Sequence, residues 1–401
     1  MPRSKIITAL DIGTNGIKVL VVKKNKENEF ENLALIQEPV LGVRKGVVIN
    51  KENVSKAIRK AIEKAKEKYG YKLDSAFVNI GGSHISNISS HGTVAVSRAD
   101  RKISKEDISR VLQDAQTLSL PPNYEILDLV LKEFTIDGGE GVKEVIDMQG
   151  TRLDANVYLL IGFSPYKKNL IQAILDSDLK ILDIIPSPVA SAEAVLTQRQ
   201  KELGVGLLEI GAGTSTFTVF EDGDLIHSAV FPIGSANITN DIAVGLKVEV
   251  DIAERIKSEF GSCLFKGNDK KEKIKLDDSE FLVFSRKQLS HIIEARVSEI
   301  FKEAQKELKK ISKQGLLPAG IILTGGGAKL SKITELAKKE FKLPCKTGKS
   351  LPFKGLGDDP CFATACGLIL YGTSTDGGSG RVQTNEGIVD KIKKFFQIFL
   401  P

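Results

Sequence analysis

Residues 6–22, IITALDIGTNGIKVLVV, constrain the fold more than any other stretch. Two apolar, β-prone segments flank Asn15-Gly16, the strongest short-range signal for a tight hairpin. The first segment ends in Asp11-Ile12-Gly13-Thr14, which puts a carboxylate and a residue without Cβ at the turn. Gly13 lets backbone approach a ligand, and the amides of Thr14, Asn15 and Gly16 make a concave set of donors suited to phosphate. Asp11 would then face any metal held by those phosphates, and Lys18 would neutralise their charge. Taken alone, an Asn-Gly hairpin is more often only a hairpin.

Two later stretches change that balance. Residues 207–220, LLEIGAGTSTFTVF, repeat the design: an apolar strand, a carboxylate at Glu209, Gly211 and Gly213 around Ala212, hydroxyls at Thr214 and Ser215, then a second strand. Residues 321–328, IILTGGGA, are an apolar strand ending in Gly325, Gly326 and Gly327. In this order the three stretches resemble the phosphate-1, phosphate-2 and adenosine motifs of the actin-like ATPase superfamily. The resemblance implies bound ATP, with Mg2+ at Asp11 and with Asp11 and Glu209 as the acids of the reaction centre. It implies cofactor contacts from Gly13, Thr14, Asn15, Gly16 and Lys18, from the 211–215 hairpin, from Gly234 and from Gly325 to Gly327. It also gives Glu254 and Lys257, in DIAERIKSEF, to ribose and adenine; without it, an i, i+3 Glu-Lys pair is an ordinary surface ion pair of ~0.3 kcal/mol.

A chain of 401 residues, 41% hydrophobic, has room for two or more domains with real cores. No run approaches the ~18 to 20 apolar residues of a membrane span. The net charge of +6 is mild, and the lysines of 56–68 and 302–313 alternate with glutamates at helical spacing. They read as solvated helix faces rather than as a nucleic-acid groove. Cys263, Cys345, Cys361 and Cys366 show no CxxC spacing, so thiols in a reducing cytosol are expected rather than a metal site. MPRSK runs directly into the first strand, leaving no room for a signal peptide.

The order strand, strand, helix, strand over 6–80 opens a ribonuclease-H-like unit, the unit on which the superfamily is built twice. Asn50 caps a helix carrying Val54, Ile58, Ala61 and Ala65, and Gly81-Gly82 closes the strand after it, where the bland reading is a turn. The pattern then changes to a compact α+β insert, with a capping-box-like start at Ser104 and long strands at 124–136 and 153–163. That insert resembles the 1C subdomain of the FtsA family of bacterial cell-division actin homologues. DxGTxxxK, VxNIGG, SRADRKISKEDI and KELGVG have the texture of that family too, and the resemblance covers essentially the whole chain. The expected fold is α/β and actin-like, two ribonuclease-H-like halves with a 1C insert and a C-terminal amphipathic helix. The boundaries are 1–86 and 165–205 for 1A, 87–164 for 1C, 206–234 and 321–370 for 2A, and 235–320 for 2B. A linker follows at 371–386 and a helix at 387–401. Alanines 190, 192 and 194 and residues Ala363, Ala365 and Gly367 make two slim helices that can cross at close range as a pivot. Residues 266–278 read as a charged, exposed loop.

Departures from the superfamily bear on mechanism. Phosphate-2 usually opens with Asp, whereas this chain has Glu209. Ser187 stands where several relatives place a Glu or Gln that orients water, and a hydroxyl is a poor base at neutral pH. ATP binding with at most slow hydrolysis is the expectation. In the tail, Ile388, Ile392, Phe395, Phe396 and Phe399 share one helical face beyond a Gly/Ser/Thr-rich linker, which suits a membrane surface. Burying five such side chains yields roughly 7 to 10 kcal/mol, basic neighbours add about 1 kcal/mol each near anionic lipid, and folding about fourteen residues costs on the order of 1 kcal/mol each, which leaves a small net. One tail therefore holds reversibly and a filament of tails holds firmly. The resemblance then implies a self-associating adaptor on the cytoplasmic side of the membrane at the division site. It would tether the C-terminal tail of the ring protein FtsZ through 2B and recruit later division proteins through 1C. Arg286 and Arg296, beside Leu289 and Ile293, are the candidate contacts for that acidic tail. A pilus-assembly or competence actin homologue is the nearer alternative, and a sugar or acid kinase the more distant one.

Overall fold

The computed structural model describes residues 5–25, 29–70, 72–269, 271–275, 281–350 and 353–374. The linker expected up to 386 and the helix expected at 387–401, with Ile388, Ile392, Phe395, Phe396 and Phe399, lie outside the described residues. The first half opens with β1 (Lys5–Ile12), β2 (Ile17–Lys24), β3 (Phe30–Glu38) and a short ribbon of β4 (Val43–Arg44) and β5 (Val47–Val48). Helix α1 (Lys51–Tyr69) and β6 (Ser75–Ile80) follow. Asn50 Oδ1 accepts from the Asn53 amide and Gly70 closes the helix in the left-handed region. The face carrying Val54, Ile58, Ala61 and Ala65 is buried against the sheet.

The insert comprises β7 (Ser86–Ala95), α2 (Lys105–Asp114), β8 (Tyr124–Ile136) and β9 (Arg152–Phe163). Its sheet, in the order β7-β9-β8, has a core of its own in which Ile108, Val111 and Leu112 of α2 meet Phe134, Leu153 and Leu159. Both bonds of the capping box at Ser104 and Asp107 are made. The first residues of strand β7, Ser86 to Ser90, earn their place by pairing with β9 rather than by apolarity. The chain then returns through α3 (Ser164–Leu175), β10 (Lys180–Pro186), α4 (Ser187–Val195) and α5 (Gln198–Leu203).

The second half repeats the first: β11 (Val205–Ile210), β12 (Ser215–Glu221), β13 (Asp224–Phe231), α6 (Ser235–Leu246), α7 (Val250–Phe260), β14 (Lys271–Lys275), β15 (Phe281–Ser285) and α8 (Arg286–Lys310). It closes with β16 (Ile321–Thr324), α9 (Ile333–Phe341), β17 (Cys345–Thr347), β18 (Phe353–Lys354) and α10 (Ala363–Ser374). The sheets run β10-β6-β1-β2-β3-β18 and β13-β12-β11-β16-β17. In each, a hairpin strand lies beside parallel strands that arrive later in the chain: β1 beside β6, β11 beside β16. Strand β18 crosses back to the first sheet, stacking Phe353 on Phe30 with ring centroids 5.3 Å apart.

Helices α4 and α10 pack between the two sheets as the small residues require. A Cβ on Gly367 would lie 1.7 Å from the Ala190 carbonyl oxygen, so only glycine permits this crossing. Three expectations change. Residues 271–275 are strand β14 rather than loop, because Ile274 turns inward while Lys271, Lys273 and Lys275 face out across from β15. Residues 371–374 continue α10 instead of opening a linker, held by a 3.0 Å bond from the Tyr371 hydroxyl to Asp128 of the insert. Leu289 and Ile293 are buried in the second core, so they offer no apolar ground to a partner.

Candidate functional site

A cleft of about 700 Å3 lies between the two halves, where their sheets bring the turns of both hairpins together. The turns are built alike. The Gly13 amide donates to Gly16 O at 3.1 Å, and the Gly211 amide donates to Thr214 O at 2.9 Å. They face each other so closely that a Cβ on Gly213 would stand 2.7 Å from Thr14 Oγ1. The third glycine run closes the cleft from β16. Gly325 has φ +80°, and a Cβ there would meet the Ile210 carbonyl at 2.6 Å, so glycine is required twice over.

Asp11 is buried, with one donor on each oxygen: Lys18 Nζ donates to Oδ2 at 2.8 Å and Asn79 Nδ2 to Oδ1 at 2.9 Å. Burial alone would lower the Lys18 ammonium, but the Asp11 carboxylate beside it, with weaker help from Cys361 and Glu209, holds it above its ordinary value. Glu209 is in the opposite position. Burial pushes its carboxyl up, against the Thr364 hydroxyl that donates to Oε1 at 2.7 Å. Its other oxygen, Oε2, is enclosed and accepts nothing among the described residues. An enclosed carboxylate oxygen without a donor suits a cation, water or ligand donor supplied from the cleft.

At the far wall, Lys257 Nζ reaches Glu254 Oε2 at 2.6 Å and Thr239 Oγ1 at 2.7 Å. This pair lines the cleft together with Gly325, Gly326 and Gly327. Of the residues singled out in the sequence, Asp11, Gly13, Thr14, Asn15, Gly16, Lys18, Glu209, Gly211, Ala212, Gly213, Thr214, Glu254 and Lys257 border this one space. Two do not. Ser215 is turned into the sheet, its hydroxyl donating to Ile233 O at 2.8 Å, because strand alternation sends it away from Thr214 and Thr216. Gly234 sits behind the second hairpin, where a Cβ would meet Ala212 O at 2.4 Å; its part is to let α6 start there.

The cleft also uses residues the sequence reading passed over. Asn79 joins Asp11 to Ser187 Oγ, and Ser187 donates to Ile80 O at 3.2 Å. Gly46, Gly81, Gly82, Lys329 and Thr364 line the space as well. The VxNIGG texture was a signal for Asn79 and the glycines after it; Thr364, in a helix read as packing only, had none.

Arg296 forks onto Asp241, with contacts of 2.6 and 2.9 Å, and bonds Glu299 as well. Arg286 pairs with Glu272 at 2.8 Å and lies over the Phe260 ring. Arg296 therefore has its fork filled from within, and the apolar side chains between the two arginines are core.

A family profile described as "Cell division protein FtsA" matches residues 206–367, and one described as "SHS2 domain inserted in FTSA" matches residues 82–161. The chain is 36% identical to the cell division protein FtsA of Pseudomonas aeruginosa, over 97% of this chain and 95% of that one. It is 34% identical to FtsA of Neisseria meningitidis (98% and 99%) and 31% identical to FtsA of Bacillus subtilis (92% and 84%). Among solved structures it resembles a chain of a PilM-PilN type IV pilus biogenesis complex, with TM-score 0.64, 16% identity and coverage of 91% and 98%. It also resembles MreB5 of Spiroplasma citri bound to ADP, with TM-score 0.57, 14% identity and coverage of 94% and 100%. These likenesses show that the fold is actin-like.

Proposed function

Because the chain belongs to the FtsA family of cell-division proteins, we infer that it is an ATP-binding, self-associating adaptor that ties the division ring to the membrane. The observation that carries the nucleotide part is the meeting of two glycine hairpins, each with an acid at its base, across a cleft of ligand size. The residues fit the cofactor. Phosphates would lie between the Gly13 to Gly16 and Gly211 to Thr214 amides, with Lys18 as their cation, and the base between the Glu254–Lys257 pair and Gly325 to Gly327. A Mg2+ ion would be held near Asp11 and the unfilled Glu209 Oε2 and would neutralise phosphate charge. Ser187, bonded to both Asn79 and Ile80 O, is not free to act as a base, which supports slow turnover.

The tail of FtsZ would dock on the outer face of β14 and β15 rather than along α8. There Lys273 stands opposite Val283 and Lys275 opposite Phe281, and Phe281 and Val283 are exposed. Cations beside apolar ground suit an acidic, apolar peptide. The sequence of 387–401 supports the membrane anchor; no helix among the described residues is long and apolar enough to cross a membrane.

Copelleting with anionic liposomes, with and without ATP, tests the reading: membrane binding that needs residues 387–401 and rises with ATP-dependent assembly is expected. Equal recovery with neutral and anionic vesicles, or no effect of removing 387–401, would refute the anchor. Anisotropy with a labelled FtsZ tail peptide tests the partner, and Lys273→Glu should weaken it about tenfold or more. Unchanged affinity would move the docking site, and no binding by the wild type would favour the pilus-type alternative.

A further inference from the structure

Gly81 and Gly82 line the cleft, but the loop that carries them is held from behind by a side chain that does not. His84 turns its ring under that loop. Its Nε2 stands 3.0 Å from Gly81 O, and its Nδ1 stands 3.1 Å from the Phe163 amide nitrogen. A backbone amide can only donate, so Nδ1 must accept, and the one ring proton sits on Nε2 and goes to the Gly81 carbonyl. Burial pushes the imidazole below its ordinary value, against the lesser effect of the Gly81 bond, which agrees with a neutral ring. A single tautomer thus serves both partners.

Those partners belong to different bodies. Gly81 precedes the insert on the cleft side, while Phe163 is the residue through which β9 hands the chain back to α3. The His84 ring meets Tyr166 edge-on at 5.1 Å, Tyr166 meets Phe163 at 5.0 Å, and Phe163 meets Tyr124 of β8 at 5.7 Å. Gly162 lies so close that a Cβ there would stand 3.2 Å from His84 Nδ1. His84 is therefore wedged into the root of the insert. On its other side Gly82, with φ +113°, abuts Gly46, whose Cβ would stand 2.8 Å from the Gly82 nitrogen. The Gly46 amide in turn donates to Thr14 Oγ1 at 2.9 Å. From the first glycine hairpin to the insert root, every step is a backbone contact or a hydrogen-bonded side chain.

We propose that His84 is a positioning residue that couples occupancy of the nucleotide cleft to the order of the insert, so that a partner docked on the insert reads whether ATP is bound. The coupling rests on the nucleotide reading above, and by linkage a partner on the insert changes ATP affinity by the same factor.

The test is hydrogen exchange of the full chain with and without ATP and Mg2+, read at residues 86–95 and 152–163, alongside ATP titration. In the wild type, ATP slows exchange in these strands about fivefold or more. His84→Asn can set its amide oxygen where Nδ1 stands and accept from Phe163 but is too short to reach Gly81 O; His84→Gln can reach Gly81 O with its NH2 but leaves the Nδ1 position empty. Each variant should bind ATP within about threefold of wild type, while its insert response falls below about twofold. A merely structural role would lower stability in both variants and leave the ATP response intact. A wild-type response in either variant overturns the proposal, and so does a wild type that binds ATP without any response in the insert. A wild type that binds no ATP overturns the nucleotide reading itself and takes this inference with it. Should one variant fail to fold, the other variant and the wild-type response decide the matter.

Discussion

Gly367→Ala probes the crossing on which both halves turn. The new methyl would lie 1.7 Å from Ala190 O and 2.3 Å from its carbonyl carbon, where an ordinary C···O contact is ~3.3 Å. The helices must separate by about 1.5 Å, and no rotamer can relieve the clash, because both groups that collide with the methyl are main chain. Overpacking costs ~1 to 3 kcal/mol, and a backbone clash belongs at the upper end. Alanine recovers ~1 kcal/mol of helix propensity, so the net loss should be about 2 kcal/mol. With a urea slope of ~3 kcal/mol/M, the unfolding midpoint should fall by about 0.7 M. The ends of the same helices reach the cleft, α4 starting at Ser187 and α10 carrying Thr364 in its first turn, so ATP affinity should fall about tenfold as the walls part. Gly372→Ala is the internal control: the atoms nearest its methyl belong to the buried Phe77 ring, at 2.6 and 2.7 Å, a side chain that can shift where main chain cannot. It should cost about 1 kcal/mol less than Gly367→Ala. If Gly367→Ala unfolds at the wild-type midpoint with unchanged ATP affinity, the pivot argument is wrong. If both variants cost the same, the distinction between backbone and side-chain obstruction fails.

Gly326→Val should fold normally, because its Cβ meets nothing closer than Cys361 Sγ at 3.4 Å, yet abolish ATP binding by filling the cleft; normal affinity in a titration would remove Gly326 from the site. For Asp107, burial would raise the carboxyl, but bonds from the Ser104 amide and hydroxyl, from Arg110 and from Ser97 outweigh it and hold the group well below the carboxylate range. Its stabilising effect is complete above the unfolded value of ~3.9 and is lost as pH falls towards the folded value. Melting of the wild-type insert should therefore drop between about pH 5 and 2, while Asp107→Asn should be weaker at pH 7 and flatter below it; parallel pH profiles would contradict this. Turnover should stay well under ~10 per second, and a steady-state ATPase assay at or above that rate would mean that a base has been overlooked.

What the sequence settled by itself was local. A hairpin at Asn15-Gly16, the Asn50 and Ser104 caps and the small-residue stripes are decided within a few residues, where turn preference and helical periodicity act. The two acids and the three glycine runs were legible for the same reason, each being one strand end and its turn. Tertiary structure decided what depends on residues distant in the chain. Thr364 and Glu209 are 155 residues apart, and nothing near either announces their bond or the oxygen left without a donor. Periodicity showed that α8 has an apolar stripe but not that Leu289 and Ile293 would be covered, since the elements packed against α8 are α6, α9, β13 and β15. Alternating lysines read as a loop until β15 supplied the partner that makes them a strand. Nothing in the sequence around His84 marks it out. Only the return of the chain at Phe163, 79 residues later, shows that both its nitrogens are spoken for.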